Sequence, residues 1–169
     1  MTGSTSRKRG AIRRRKKGVY LLLLQIDESQ QISIGRWGVQ HFTRGFYAYV
    51  GSALNGLEAR IKRHLSQDKK HHWHIDYLLD RACIYEVTLV PTQERLECTL
   101  ARALRKNLLC IRRFGSSDCH CPGHLFFATE RNELETQVSR ALSDLGLAYC
   151  RRSHTCSLAR TLVEQMINQ

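Results

Sequence analysis

Four side chains suited to phosphate chemistry are spaced through residues 20–64. Tyr20 lies in an apolar segment of strand length, and Tyr49 lies near the end of a second such segment. Arg60 and His64 follow four residues apart, a spacing that places them on one side of a helix. A guanidinium can grip two phosphate oxygens, while phenols and an imidazole can donate or accept protons. In one pocket these groups would suit cleavage of a phosphodiester, although the set lacks a metal ligand. For His64 the alternatives are a general acid, a phosphate donor or a plain helix-surface histidine.

A later loop carries groups that favour a soft metal ion. Cys119, Cys121 and His124 form a C-x-C-x₂-H cluster, and Cys98 could supply a fourth ligand. Three thiolates and an imidazole around one ion predict a tetrahedral structural zinc site. The C-x-C spacing is tighter than usual, so the alternative is a pair of reduced thiols in a tight loop. The glycine and serines of the same loop also offer hydroxyl and backbone N–H groups to a phosphate without any metal.

The hydrophobic pattern predicts the elements that must position these groups. Alternating or continuous apolar runs indicate strands at 19–26, 32–36, 39–43, 46–50, 83–90 and 125–129. Because the first loops are too short for crossover helices, we expect an antiparallel meander. Helices are expected at 56–66, 93–107 and 133–145, with Asn55, Thr92 and Asn132 as their N-caps. The fold class is therefore α/β of the α+β type, a small antiparallel or mixed central sheet flanked by helices.

Two triplets of residues carry a family resemblance. Gly18-Val19-Tyr20 and Tyr49-Val50-Gly51, followed by Arg60 and a later acidic helix, resemble the motifs of the GIY-YIG nuclease superfamily. The match covers roughly residues 18 to 107. Longer strings, such as Tyr-Val-Gly-Ser-Ala and His-Trp-His-Ile-Asp-Tyr-Leu-Leu, look like one small uncharacterised branch of that superfamily. The domain of this branch is also found fused to the base-excision enzyme endonuclease III.

The resemblance implies a metal-dependent endonuclease that hydrolyses DNA in repair or processing. Tyr20, Tyr49 and Arg60 would be catalytic, and Glu97 would occupy the place of the superfamily's metal-binding glutamate, holding Mg²⁺ or Mn²⁺. A hard carboxylate oxygen suits Mg²⁺, which keeps several of its waters. From spacing alone, a helix-surface glutamate paired with a neighbouring base is an equal alternative. Residues 18–147 would form the nuclease domain, with the cysteines and histidines in its C-terminal portion.

Positive charge is concentrated in the first 17 residues. They carry eight Lys and Arg and no acid, so the remaining chain has 19 basic and 15 acidic residues. This segment is expected to be a disordered arm that binds phosphates, or else a solvated extension. A second basic segment, residues 69–79, would flank the substrate groove, with metal binding as its alternative. The residues expected to contact nucleic acid are Arg13, Arg14, Arg15, Lys16, Lys69, Lys70, His72 and His74.

Seven cysteines without a secretory signal predict a reduced, cytoplasmic protein, with association with the nucleoid as a further expectation. No stretch approaches the roughly 20 apolar residues that span a bilayer, so no membrane partner is expected. Residues 148–169 are expected to be a tail that contains a short helix. Three functions stay open: an endonuclease acting on DNA or RNA, a non-cleaving nucleic-acid-binding module that serves a repair enzyme, and a zinc-stabilised protein-interaction domain.

Overall fold

The computed structural model describes residues 15–153, which contain eight strands and four helices. The strands are β1 (Gly18–Ile26), β2 (Gln30–Ser33), β3 (Val39–Phe42), β4 (Gly45–Ala53), β5 (Cys83–Pro91), β6 (Leu109–Ile111), β7 (Leu125–Ala128) and β8 (Cys150–Ser153). The helices are α1 (Leu57–Leu65), α2 (His74–Leu79), α3 (Glu97–Leu104) and α4 (Arg131–Asp144). A single 3₁₀ turn, Gly35–Trp37, separates β2 from β3.

Six strands form one antiparallel sheet in the order β6-β7-β4-β1-β5-β8, and β2 and β3 form a separate hairpin. The expected α+β class is therefore confirmed. The continuous meander is wrong, because β4 pairs directly with β1 and the β2–β3 hairpin is left outside the main sheet. The central strand β1 is thus flanked by partners on both edges.

Both faces of β1 are covered, which explains its nearly continuous apolar sequence. Leu22 and Leu24 face the core beneath α1, α2 and the hairpin. Leu21 and Leu23 face the opposite core beneath α3 and α4. All four leucines are fully buried, and each contributes about 1.5–3 kcal/mol of transfer free energy. The domain is therefore a three-layer arrangement with β1 at its centre.

The helix starts differ from those expected. Gly56, not Asn55, precedes α1, and no side chain caps that helix. The amide of Leu57 instead donates to the carbonyl oxygen of Lys16 at 2.8 Å, so the chain before β1 supplies the missing acceptor. The third helix begins at Glu97 rather than near residue 93, because the Thr92 hydroxyl closes a local turn with the amide of Glu94 at 3.1 Å. For α4, Glu130 stands at the N-cap position instead of Asn132.

Cys150–Ser153 adds an edge strand beyond residue 147, pairing antiparallel with β5. Arg151 fixes this strand by contacting Glu86 at 3.4 Å and donating to the Ser139 hydroxyl at 2.7 Å. Cys83 is disulfide-bonded, which differs from the expected set of reduced thiols. The helix expected in the tail, and Arg13 and Arg14 of the arm, lie outside the described residues. Within residues 15–153, no helix has the length and apolar character needed to cross a bilayer.

Candidate active site and metal centre

Tyr20 and Tyr49 lie on the same face of neighbouring strands. The β1–β4 register pairs Tyr20 with Gly51 and Leu22 with Tyr49, so both phenols project into the core beneath α1. Their ring centroids are 6.4 Å apart. The two-residue period of strands, together with this antiparallel register, brings the two tyrosines together as the sequence pattern suggested.

The two motif glycines each occupy a place where a side chain does not fit. A methyl group on Gly18 would overlap the carbonyl oxygen of Val90, and one on Gly51 would overlap the phenol of Tyr20. The hydroxyl end of the Tyr20 ring therefore lies over Gly51 on the adjacent strand. Gly51 must therefore lack a side chain for Tyr20 to occupy this position.

Substitution Gly51→Ala is expected to lower the free energy of unfolding by about 1–3 kcal/mol, the usual cost of overpacking a well-packed core. The added methyl group must displace the Tyr20 phenol from its position over the strand. Urea denaturation monitored by circular dichroism measures the loss. The matched control is the same substitution in a Tyr20→Leu background, which removes the ring atoms nearest to Gly51. There Gly51→Ala should cost clearly less than in the wild type, and an equal cost in both backgrounds would contradict the proposed clash.

A hydrogen bond joins His64 to Tyr20. The phenolic oxygen lies 2.7 Å from Nε2 of the imidazole, and both residues are 2% exposed. Burial, opposed by Asp76 and reinforced by Arg60, Arg63 and Lys69, lowers the pKa of His64 to about 3. Burial is the main cause that raises the pKa of Tyr20 well above its usual value, and the nearby phenol of Tyr49 is the second. At neutral pH the imidazole is therefore uncharged and the phenol keeps its proton. With the imidazole proton assigned to Nδ1, the nitrogen that faces the Asp76 carboxylate, the phenol is the donor.

Asp76 is the residue behind His64, and the sequence pattern did not single it out as functional. Its carboxylate is fully buried and receives two hydrogen bonds from Arg63, at 2.7 and 2.9 Å, and the backbone amides of His72 and Trp73 at 2.9 Å. Burial raises its pKa, but these four donors outweigh it and bring the pKa down to about 2. Its Oδ1 atom lies 3.9 Å from Nδ1 of His64, which is too long for a hydrogen bond.

Arg60 is held by Trp73, a second residue that the sequence did not identify. The guanidinium carbon of Arg60 lies 4.2 Å from the indole centroid, and that of Arg63 lies 4.3 Å from it. Such cation–π contacts stabilise a half-buried guanidinium while leaving its N–H groups available to an anion. The charge of Arg60 lowers the pKa of both Tyr20 and Tyr49 against the larger effect of burial. Arg60 is therefore within electrostatic reach of both phenols.

Glu97 lies in the first turn of α3 and contacts an imidazole. Its Oε1 atom is 3.0 Å from Nδ1 of His124, and its side chain is 25% exposed. Burial is the main cause that raises the pKa of Tyr49, and the charge of Glu97 is the next. The charge of Glu97 also raises the pKa of Tyr20. The carboxylate thus acts electrostatically on both phenols, but one of its oxygens already has a partner.

The predicted Cys/His ligands come together in one cluster. The ligand atoms of Cys98, Cys119, Cys121 and His124 all lie within 4.8 Å of one another. Cys119 Sγ is 3.5 Å from Nε2 of His124. Burial, followed by hydrogen bonds with the two other cysteines, raises the pKa of the Cys98 thiol to about 12. This Cys₃His cluster could bind a metal such as zinc.

The loop that carries the cluster is tied to the strand that carries Tyr49. The amide of Val50 donates to the His124 carbonyl at 2.9 Å, and the amide of His124 donates to the Phe114 carbonyl at 2.7 Å. Gly115, with a positive φ of 69°, lies against the Tyr49 ring, where a methyl group would come within 2.9 Å of it. A glycine is therefore required there for both conformation and space.

The residues expected to contact nucleic acid are only partly on the surface. Lys70 and His72 are exposed, as are Arg15 and Lys16. Lys69 is half-buried, and its ammonium donates to the carbonyls of Ser66 at 2.7 Å and His64 at 3.3 Å.

His74 turns towards the loop instead. Its ring stacks on Trp37 with centroids 5.3 Å apart, and its Nδ1 accepts the amide of Gly115 at 3.3 Å. Burial lowers its pKa. The histidine is therefore part of the packing beside the Cys/His loop.

A cavity of about 310 Å³ opens between the end of α1 and the start of β5. Its lining includes His64, Lys69 and Asp80, but none of Tyr20, Tyr49, Arg60 or Glu97. His64 is therefore the residue that both lines this cavity and forms a hydrogen bond with Tyr20.

Together, the fold and site define a small α+β domain in which two tyrosines, a buried histidine and a Cys₃His cluster with metal-binding capacity lie around one sheet. The chain belongs to the family described as "Domain of unknown function DUF123", which it matches over residues 19–147. Searches of curated proteins and of solved structures gave no match.

Proposed function

We propose that this chain is a metal-dependent endonuclease that hydrolyses phosphodiester bonds in DNA, as its resemblance to the GIY-YIG superfamily implies. The observation that supports this most is the 2.7 Å hydrogen bond between Tyr20 and His64, beside Tyr49 and within electrostatic reach of Arg60 and Glu97. Hydrolysis of this kind depends mainly on aligning the nucleophile and stabilising charge. The five residues supply groups for both tasks.

Tyr20 is assigned to the attacking water. With the imidazole proton on Nδ1, the hydroxyl of Tyr20 donates to the neutral imidazole of His64, and the phenolic oxygen keeps lone pairs that can accept a hydrogen bond from water. Its raised pKa keeps the phenol protonated at neutral pH, so Tyr20 orients the water rather than acting as a free phenolate. His64, whose pKa is about 3, holds the phenol in place, and the proton of the water passes to solvent. Tyr49 positions the phosphate beside it.

Arg60 has the role of stabilising the negative charge that develops on the phosphate. Its guanidinium is fixed on Trp73 at 4.2 Å, which lowers the cost of ordering it when substrate binds. Removing one such preorganised donor from an active site typically slows the reaction by about 10²–10³-fold.

Glu97 is assigned as the ligand of Mg²⁺ or Mn²⁺. With Oε1 engaged by His124, the second carboxylate oxygen of a side chain that is 25% exposed is available to a hard cation. One carboxylate, together with waters and substrate phosphate, is a common Mg²⁺ environment. The ion would supply positive charge at the leaving oxygen and lower the pKa of a bound water.

The test is nicking of supercoiled and branched DNA, and of RNA, in Mg²⁺ or Mn²⁺. Tyr20→Phe should lower the cleavage rate by about 10²-fold or more, because it removes the hydroxyl that orients the attacking water. Tyr47→Phe is the matched control: it also removes a buried phenolic hydroxyl, one that donates to the Thr43 carbonyl at 2.6 Å, and it should leave the rate near wild type. Equal rates for the two variants, or no cleavage by the wild-type protein, would reject the proposal.

A second candidate, a binding module that does not cleave, is favoured by the near-complete enclosure of Tyr20 and His64, each 2% exposed. It would bind nucleic acid through Arg15, Lys16 and Lys70, and its partner would be a DNA-repair enzyme. Because binding releases counterions, the logarithm of its binding constant should fall linearly with the logarithm of the salt concentration. Salt-dependent binding without cleavage in either metal would select this function over the nuclease.

A further inference from the structure

We infer that Cys98, Cys119, Cys121 and His124 bind one Zn²⁺, and that Glu97 orients the His124 imidazole for that metal. Glu97 is then a positioning residue of a zinc centre in addition to any role in DNA cleavage. The inference rests on the geometry of these five side chains and does not depend on the proposed nuclease activity.

The four donor atoms are close to the arrangement that zinc requires. Zinc–sulfur and zinc–nitrogen bonds of about 2.3 and 2.0 Å at tetrahedral angles separate a sulfur from a nitrogen ligand by about 3.5 Å. Cys119 Sγ and His124 Nε2 are 3.5 Å apart, and all four ligand atoms lie within 4.8 Å of one another. Small movements of the thiol side chains would complete the tetrahedron. Three thiolates and an imidazole select zinc over Mg²⁺ or Ca²⁺, which prefer oxygen ligands.

The two nitrogens of His124 face different partners. Nε2 faces Cys119 in the cluster, while Nδ1 lies 3.0 Å from the Glu97 carboxylate. If Nδ1 carries the proton and donates it to Glu97, the lone pair of Nε2 is directed at the cluster. A carboxylate that accepts from the second nitrogen of a ligating histidine fixes its tautomer and raises its basicity towards the metal.

The cluster also joins two separate parts of the fold. Glu97 and Cys98 lie in the first turn of α3, while Cys119, Cys121 and His124 lie in the loop between β6 and β7. The backbone of His124 is hydrogen-bonded to Val50, next to Tyr49. A bound metal would therefore fix the start of α3 and the loop against β4 at the same time.

The experiment measures metal binding in the full chain without nucleic acid. Elemental analysis should give one zinc per chain, and the Co²⁺-substituted protein should show the thiolate charge-transfer bands of a tetrahedral site. In competition with a chelator, Glu97→Gln should keep the tetrahedral Co²⁺ spectrum but bind Zn²⁺ about 10–100-fold more weakly. Glu94→Gln, an exposed glutamate in the turn before α3, is the matched control and should bind like wild type.

Cys119→Ser should lose most of the zinc and weaken the charge-transfer bands. If that variant does not fold, the stoichiometry and spectrum of the wild-type protein still decide the site. The inference is overturned if the wild-type protein binds no zinc, if Co²⁺ shows no thiolate bands, or if Glu97→Gln binds as tightly as Glu94→Gln. Because no DNA is present, these outcomes are independent of any result on cleavage.

Discussion

Lowering the pH from 6.5 to 3 is expected to reduce the free energy of unfolding by about 5 kcal/mol through His64 alone. The pKa of His64 is about 3 in the folded protein, against a usual 6.5. Between these pH values His64 is protonated in the unfolded chain but not in the folded protein. The stability that the neutral imidazole contributes is therefore complete above pH 6.5 and is lost as the pH falls towards 3. Each pKa unit corresponds to about 1.4 kcal/mol.

The matched variant is His64→Gln, whose neutral side chain can still accept the Tyr20 hydroxyl at any pH. Urea denaturation at several values between pH 7 and 4 gives the free energy of unfolding of each protein. The wild type should lose stability with acid more steeply than the variant. Above pH 4 the buried Asp76, whose pKa is about 2, stays charged and contributes little to the slope. Parallel slopes for wild type and variant would show that the imidazole is not held neutral by burial.

Asp76→Ala is expected to cost about 3–5 kcal/mol, because it leaves a half-buried guanidinium and two backbone amides without their acceptor. Four hydrogen bonds of 2.7–2.9 Å converge on this carboxylate, which is 0% exposed. Loss of Arg63's partner also loosens the arginine that lies against Trp73. We therefore expect the α1–α2 packing to weaken as a unit.

Asp80→Ala is the control for this change. Asp80 is four residues away and 48% exposed, and its ion pair with His71 at 2.8 Å should contribute no more than about 1 kcal/mol. Differential scanning calorimetry and urea denaturation measure both variants. If Asp76→Ala does not fold, Asp76→Asn keeps one acceptor oxygen and should still be clearly less stable than Asp80→Ala. A cost for Asp76→Asn equal to that of Asp80→Ala would contradict the assigned role.

The parts of the fold that follow from local periodicity could be predicted from the sequence. The strands that carry Tyr20 and Tyr49 are long and strongly apolar, and the four-residue spacing of Leu57 and Ile61 marks the buried side of α1. Strand β6 has only three residues, and the sequence of β8, Cys-Arg-Arg-Ser, has no apolar alternation, so neither strand produces a recognisable pattern. The early start assigned to α3 failed because a threonine turn competed with the helix.

The site was predictable in its residue types and much less so in its contacts. The Cys/His cluster follows from ligand chemistry, and its four members do come together. The bond between Glu97 and His124 joins residues 27 positions apart, and the ion pair between Arg63 and Asp76 joins residues 13 positions apart. No local pattern encodes such distant pairings. Catalysis by Tyr20, Tyr49, Arg60 and His64, and Mg²⁺ binding by Glu97, stay predictions for the experiments above.

The carbonyls of Lys16 and Lys17 anchor the chain between the first amide of α1 and the amide of Thr92, at 2.8 and 3.1 Å. A force applied to the residues before Arg15 would therefore be transmitted to the N-terminal end of α1, the helix that carries Arg60 and His64. A chain truncated to begin at Gly18 would lose both hydrogen bonds and leave the amide of Leu57, at the start of α1, without its acceptor. The shortest form that keeps the helix anchored thus begins at or before Lys16.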